Sequence, residues 1–206
     1  MEFARSLKDE AELKKVLNQV RLRRLVTRNL VILESVDSTQ SYSMRKAEKN
    51  REGDIVIGRV QTSGMGREGR TWYSQRGGLW ITITLLPPSV EILGAIPLIA
   101  TKSIVNALRD SGILNSSIKH PNDVYCGERK IAGVLAYADV QGTRSTVYLG
   151  MGVNVNNDPS VIGEISESAT SLCNEIGHKV NLTIFTALLI EKLDREYDEF
   201  ITTKTN

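Results

Sequence analysis

The sequence predicts an α+β domain: a mixed β-sheet flanked by helices. Three observations carry this. Runs rich in β-branched residues follow one another through short turns, as at Gln141-Gly142. Helical segments are interspersed irregularly instead of alternating with each strand, as βαβ winding would require. The 206 residues suit one domain of ordinary to large size, which needs no disulfide or metal staple. We therefore read residues 1–206 as a single domain with a helical lead-in over 1–29.

Residues 6 to 25 read as a helix. Ser6 stands as N-cap with Asp9 at the capping-box position, and Leu13, Val16, Leu17 and Val20 recur at helical spacing. The basic end (Arg21, Arg23, Arg24, Arg28) fits a helix C-terminus complementing its macrodipole better than a nucleic-acid arm. Too few residues precede Leu30 for a winged helix-turn-helix, so no DNA-reading domain is expected. Leu30 to Val36 reads as a strand. Asp37-Ser38-Thr39 then caps a helix running to about Asn50. A strand from Asp54 to Gln61, a Gly-rich stretch from Thr62 to Gly78 and a strand from Leu79 to Leu86 follow. Val90 to Asp110 reads as a helix that Pro97 starts or kinks. A short strand near Ile118 leads into Lys119-His120-Pro121-Asn122-Asp123, a polar turn. Strands from Lys130 to Val140 and from Arg144 to Val155 come next, and helices near Ser168 to Ile176 and Thr183 to Phe200 close the chain.

Composition excludes several classes. With 41% hydrophobic and 24% charged residues and a net charge of +2, the chain is neither a disordered tail nor a polyanion-coating protein. Its longest uncharged stretches fall short of the ~20 apolar residues that span a bilayer. Arg5, Lys8, Asp9, Glu10 and Glu12 break up any apolar signal segment. Cys126 and Cys173 give no disulfide framework and fit a reduced, cytoplasmic compartment. Neither a membrane nor a nucleic acid is expected as partner.

The most informative segment is Gly64-Met65-Gly66-Arg67-Glu68-Gly69-Arg70-Thr71-Trp72. Its letters satisfy G-x-G-x-x-G, but that fingerprint needs a helix to open at the glycines, and here the chain runs on into a strand. They nearly match a P-loop too, with Arg70 in place of the lysine and again no helix after it. What remains is a ligand loop. Glycines let backbone close over a ligand, Arg67 and Arg70 offer forked donors to phosphate, and Trp72 offers a stacking face.

A second cluster joins Lys119-His120-Pro121-Asn122-Asp123 to Arg129-Lys130-Ile131-Ala132-Gly133. Lys119 and Lys130 are expected on neighbouring strands, converging near one carboxylate, a constellation suited to phosphates and a bridging Mg²⁺. Small Ala132 and Gly133 suggest close approach to the backbone. His120 reads as a turn-lining residue and Cys126 as a bystander. In Gly150-Met151-Gly152-Val153-Asn154, Asn154 could read a purine edge or simply end a glycine-rich strand.

Together these segments resemble the biotin–protein ligases, the family that attaches biotin to carboxylase carrier domains. The family's glycine-arginine loop resembles Gly64 to Trp72. Its lysine-tryptophan-proline-asparagine-aspartate motif resembles Lys119 to Asp123, and its lysine-leucine-alanine-glycine segment resembles Lys130 to Gly133. The glycine-x-asparagine strand end resembles Gly152 to Asn154, and Asp37-Ser38-Thr39-Gln40 resembles the upstream aspartate-serine-threonine-asparagine. The resemblance covers about residues 30 to 200. It implies a catalytic domain akin to class II aminoacyl-tRNA synthetases and lipoate ligases, with Mg·ATP and biotin as substrates and a biotin carboxyl carrier protein as acceptor. The implied catalytic set is Lys130, Arg67, Arg70, Lys119 and Asp123, with Asp123 orienting Mg²⁺ or the incoming lysine. Ser38, Thr39, Gln40, Gln61, Gly64, Met65, Gly66, Arg67, Lys130 and Gly133 would contact biotin. Arg67, Arg70, Trp72, Lys119 and Asn154 would hold ATP.

Met65 replaces an arginine of the family's loop, His120 replaces the tryptophan, and Gln40 replaces asparagine. Many relatives continue into a small SH3-like domain beyond the position of Glu199-Phe200-Ile201. The expectation is that this domain is missing here or supplied by a separate chain. A homodimer is also compatible with the resemblance. The competing readings are a lipoate–protein ligase, a biotin-sensing or catalytically incomplete biotin-binding subunit, and a nucleotide hydrolase using the loop as a P-loop.

Overall fold

The computed structural model describes residues 10–25, 29–47 and 51–205. Its strands are β1 (Leu30–Leu33), β2 (Ile55–Gly58), β3 (Leu79–Leu85), β4 (Ser116–Lys119), β5 (Asp123–Cys126), β6 (Arg129–Gln141) and β7 (Arg144–Val153). They form one sheet in the order β1-β2-β3-β7-β6-β5-β4. β1 and β2 run parallel, joined through helix α2 (Thr39–Arg45), because a parallel pair needs a crossover. The other pairs are antiparallel, so the sheet is mixed, as expected.

Alternation along the strands makes two unlike faces. Ile55, Ile57, Ile81, Ile83, Leu149, Met151 and Val134 are fully buried on one face. On that side pack α1 (Glu10–Leu17), α3 (Ile96–Asp110) and α5 (Leu182–Thr205). Each such side chain contributes roughly 1.5–3 kcal/mol by leaving water. The other face carries Gly58, Trp80, Thr82, Gly150, Gly152 and Gly133, and α2 lies over β2, β3 and β7 there. That small-residue face leaves room for a site.

Pro97 acts as expected. Val90–Ala95 is a 3-10 turn, and α3 begins with the proline in its first turn, where its missing N–H costs nothing. The segment Val90–Asp110 is long and apolar enough by composition to cross a bilayer. Its apolar stripe, from Ile96 through Ile99, Ile104 and Leu108, is instead spent on the core.

Three expectations are corrected. The first helix stops at Leu17, well short of residue 25; Ser6, Asp9 and Arg28 lie outside the described residues. Beyond it the chain docks on α5, where the Asp194 carboxylate accepts the backbone N–H groups of Arg23 (2.5 Å), Arg24 (2.8 Å) and Leu25 (2.6 Å). A helix interior could not offer those donors, since each would be bonded four residues back. Arg23 and Arg24 therefore meet acids of α5, with Arg24 Nε donating to Asp198 at 2.9 Å, and do not complement a helix dipole. Second, Asp123 opens strand β5 instead of closing a turn, so β5 separates Lys119 on β4 from Lys130 on β6. Third, α4 covers only Leu172–Ile176; the residues before it run beside β6, with Lys130 bridged to Ala169.

Asp194→Ala removes the acceptor that these three N–H groups share, the one of Leu25 within the buried core. It should lower stability by about 2–3 kcal/mol, read as a reduced urea midpoint with an unchanged slope.

Candidate active site

One line of directly paired residues crosses the small-residue face: Gly58, Trp80, Gly152, Gly133, Asp123 and Lys119. Its glycines form a floor for the indole of Trp72. A β-carbon on Gly152 would stand 2.5 Å from Trp72 Nε1, and one on Gly133 would stand 3.2 Å from the ring's far edge. The ring meets Trp80 edge-on, centroids 6.4 Å apart, and Lys130 Nζ lies 5.2 Å from its centroid, within cation–π range. Trp72 Nε1 is buried without a hydrogen-bond partner.

Around this floor opens a cleft of about 260 Å³. Its polar end is built at the start of α2. Ser38 caps the helix, its Oγ accepting from Ser41 N at 3.3 Å. Asp37 beside it holds Arg45 through two contacts, at 2.7 and 2.9 Å. The Arg45 guanidinium, helped by the Ser38 N–H, pulls the Asp37 carboxyl down to about 2. Thr39 donates from N (2.8 Å) and Oγ1 (3.1 Å) to Gln61 Oε1, and Gln61 Nε2 donates to Ser74 Oγ at 2.7 Å. Gln40 donates to Leu135 O (2.8 Å) and Tyr148 O (2.7 Å); Gly150 leaves space for that amide against the strand.

The cationic end is Lys130, 2.7 Å from Asp123, with Arg67 and Arg70 on the loop above. Lys130 and Gly133 share a face although three residues apart. A bulge against β5 turns Ile131 and Ala132 both into the core. Arg67 Nη1 donates to Asn122 Oδ1 at 3.0 Å, and Arg70 stands 3.7 Å from Glu68. The loop folds on itself through Gly66 N to Arg70 O (2.7 Å) and Trp72 N to Gly64 O (2.9 Å). Glu68 and Gly69 occupy the left-handed region, φ 58 and 73. No helix follows the loop, so neither nucleotide fingerprint acquires the context it needs.

The comparisons bear directly on this constellation. The model of the biotin/lipoate A/B protein ligase family matches residues 32–154, from β1 through the cleft to Asn154. The chain belongs to that family. It is 30% identical to the biotin–[acetyl-CoA-carboxylase] ligase of Paracoccus denitrificans, over 77% of this chain and 68% of that protein. It is 28% identical to the bifunctional ligase/repressor BirA of Bacillus subtilis, over 84% of this chain and 55% of that protein. The chain thus spans about half the length of that relative. Among solved structures, the Aquifex aeolicus biotin protein ligase in complex with biotin and ATP matches with 34% identity and a TM-score of 0.72, covering 84% of this chain and 72% of that one.

Measured against the family's motifs, most of the expected residues converge. Ser38, Thr39, Gln40, Gln61, Met65, Gly66, Arg67, Arg70, Trp72, Asp123, Lys130, Gly133 and Asn154 all line the cleft. Lys119 and Gly64 do not. The Lys119 ammonium sits 4.9 Å over the Tyr125 ring at the outer rim. At Gly64 a β-carbon would stand 2.3 Å from Trp72 O and 2.7 Å from Ser74 Oγ, so this glycine makes room behind the cleft. Asn154 lines it with an amide largely spent, donating to Thr170 O (3.0 Å) and accepting from Asn157 (2.9 Å). His120 is exposed in its turn. Burial pushes the Cys126 thiol up to about 11, with Glu175 adding to the effect, which keeps it inert.

Sequence reasoning missed Tyr125 and the wall formed by Ile165, Ser168 and Ala169. Tyr125 was readable as the residue two beyond Asp123, had β5 been recognised. The local signal at the wall, a helix from Ser168, points elsewhere; the wall is placed by Lys130 N donating to Ser168 O and Thr170 N donating to Lys130 O. Tyr73 ties the loop to this wall through Glu164 at 2.5 Å, and that contact raises its phenol.

For a metal the fit is poor. Asp123 is the one carboxylate among the described cleft residues, it is already paired with Lys130, and no cluster of three acidic, His or Cys ligands occurs among the described residues. This donor set does not build a protein cage for Mg²⁺.

Two outcomes are expected. Gly152→Ala should unseat the indole, lowering stability by about 1–3 kcal/mol and red-shifting tryptophan emission. A carbon-detected carboxyl titration should place Asp37 near 2. Because its folded value is depressed, the Asp37–Arg45 contribution is present at neutral pH and lost as pH falls through about 2. A midpoint near 4 would show that the pair does not form in solution.

Proposed function

We propose that the chain is a biotin–protein ligase, converting biotin and ATP to biotinyl-5′-AMP and transferring the biotinyl group to a lysine of a biotin carboxyl carrier protein. The observation that supports this most is one cleft with two unlike ends: neutral hydrogen-bonding groups at Ser38, Thr39 and Gln61, and cations at Lys130, Arg67 and Arg70. A ureido ring suits the first end, and a carboxylate meeting a triphosphate suits the second.

In the first step a biotin carboxylate oxygen attacks the α-phosphorus, a P–O bond forms, and pyrophosphate leaves with the electrons of the broken P–O bond. Both reactants are anions, so the barrier is dominated by charge. Lys130 stands where the two would meet and neutralises both, while Arg67 and Arg70 hold phosphate oxygens with their forked donors. Trp72 and the wall at Ile165 shelter the mixed anhydride from water. In the second step the neutral ε-amine of the carrier lysine attacks the anhydride carbonyl, the acyl C–O bond breaks, AMP leaves and the amine's proton passes to solvent. Asp123 orients that amine from the rim. Mg²⁺ enters as the counter-ion of ATP.

A homodimer and a cytoplasmic location belong to the same proposal, and sizing chromatography reads the first.

The deciding measurement is the mass of a carrier domain after incubation with the chain, biotin and Mg·ATP. One biotinyl addition is expected, and biotin, not lipoate, should drive ATP–pyrophosphate exchange. Stimulation by lipoate alone transfers the assignment to lipoate ligation, and biotin binding without labelling makes the chain a binding subunit. Lys130→Ala should slow exchange by about 10²–10³-fold, with biotin affinity changed much less.

A further inference from the structure

The wall of the cleft is anchored at its two ends and tied once between them. At its root, Asn156 N donates to Gly77 O at 2.9 Å. Gly77 holds φ 105, and a β-carbon there would stand 2.9 Å from Asn157 N. At the far end Lys130 N donates to Ser168 O at 2.8 Å. Between these anchors the Tyr73 hydroxyl donates to Glu164 Oε2 at 2.5 Å. Every other hydrogen bond of residues 159–167, among the described residues, stays within 158–169. Ser160 N and Oγ donate to Asp158, Ile162 N to Pro159 O, Ile165 N to Ile162 O, and Ser166 Oγ to Gly163 O. Turns of this kind fix the local shape of a segment and not its position over a cleft.

The two partners stand on unequal ground. Tyr73 follows Trp72, whose indole lies on the glycine floor, and precedes the buried Ser74, whose hydroxyl donates to Trp72 O at 3.1 Å. The phenol is thus carried by a fixed stretch of backbone. Glu164 is exposed and does not line the cleft, but its neighbour Ile165 does. Contact with the carboxylate raises the Tyr73 phenol, so the hydroxyl remains a donor at neutral pH.

We infer that Tyr73 and Glu164 are a positioning pair that ties the wall across the cleft and sets how long an acyl-adenylate is held there. This rests on the ligase reading above, and the wall lies beyond residue 154, where the family match ends. A mixed anhydride is lost if the cleft opens before the acceptor lysine arrives. With the tie broken, Ile165 is free to swing out between its anchors.

The test measures the dissociation rate of biotinyl-5′-AMP and the labelling of bystander lysines. Tyr73→Phe removes one hydroxyl and keeps the ring; both readouts should rise about three- to tenfold. Glu164→Ala should match it, and the double variant should be no leakier than either single one. Glu164→Gln keeps an acceptor oxygen and should stay within about twofold of wild type. In the ligand-free chain the Tyr73 ring carbon should titrate above the ordinary tyrosine value and return to it in Glu164→Ala. Unchanged dissociation in Tyr73→Phe, losses that add in the double variant, a Glu164→Gln chain as leaky as Glu164→Ala, or an ordinary Tyr73 titration each overturn the pair's role. A wild-type chain that forms no adenylate from biotin and Mg·ATP overturns the ligase reading and the retention role with it, while the Tyr73 titration still decides whether the tie exists.

Discussion

The approach of one indole to a strip of bare backbone governs the geometry of the cleft. Trp72 reaches the sheet because Gly152 and Gly133, paired across β7 and β6, present no β-carbon. Covering one face of an aromatic ring removes apolar surface from water, and that gain holds the returning end of the glycine loop against the sheet. The rest is arranged around the ring. Trp80 touches its edge, Lys130 covers it, and Asp123 continues the same line of paired residues to hold Lys130.

The cations differ in how readily they can turn to an incoming anion. Arg70 is exposed and only loosely opposed by an exposed Glu68, a contact worth little in water. Arg67 has a neutral amide partner, Asn122. Both guanidiniums can change partners at small cost, on a backbone that already visits the left-handed region at Glu68 and Gly69. Lys130 is half-buried and fixed by a carboxylate, so an anion arriving there must compete with Asp123. A preset ammonium on a strand and two adaptable guanidiniums on a loop suit a reaction in which one anion is held while another moves.

Much of this was legible in the residues. The Ser38 cap, the Pro97 start of α3, the hairpin at Gln141-Gly142 and the strand after the glycine loop each depend on neighbours a few positions away. The residue types of the cleft were legible too, through motifs that keep their order along the chain. Less legible was which residues touch. Strict alternation puts Lys130 and Gly133 on opposite faces, and the bulge at Ile131 reverses that. Lys119 and Lys130 look like strand neighbours until β5 is seen between them. The wall at Ile165 to Ala169 runs into a segment that reads as helix from Ser168, and only its hydrogen bonds to Lys130 show otherwise.

By itself, then, the sequence determined the elements, the sheet class and the chemical inventory of loop, lysine and carboxylate, because propensities, caps and turns act over a few residues. Only the tertiary structure decided that Trp72 lies on the glycines, that Asp194 holds the chain beyond the lead-in helix at Arg23 to Leu25, and that Ser74 stands behind Gln61. Each of those is a contact between segments distant in the chain, where packing and hydrogen-bond satisfaction override local preference.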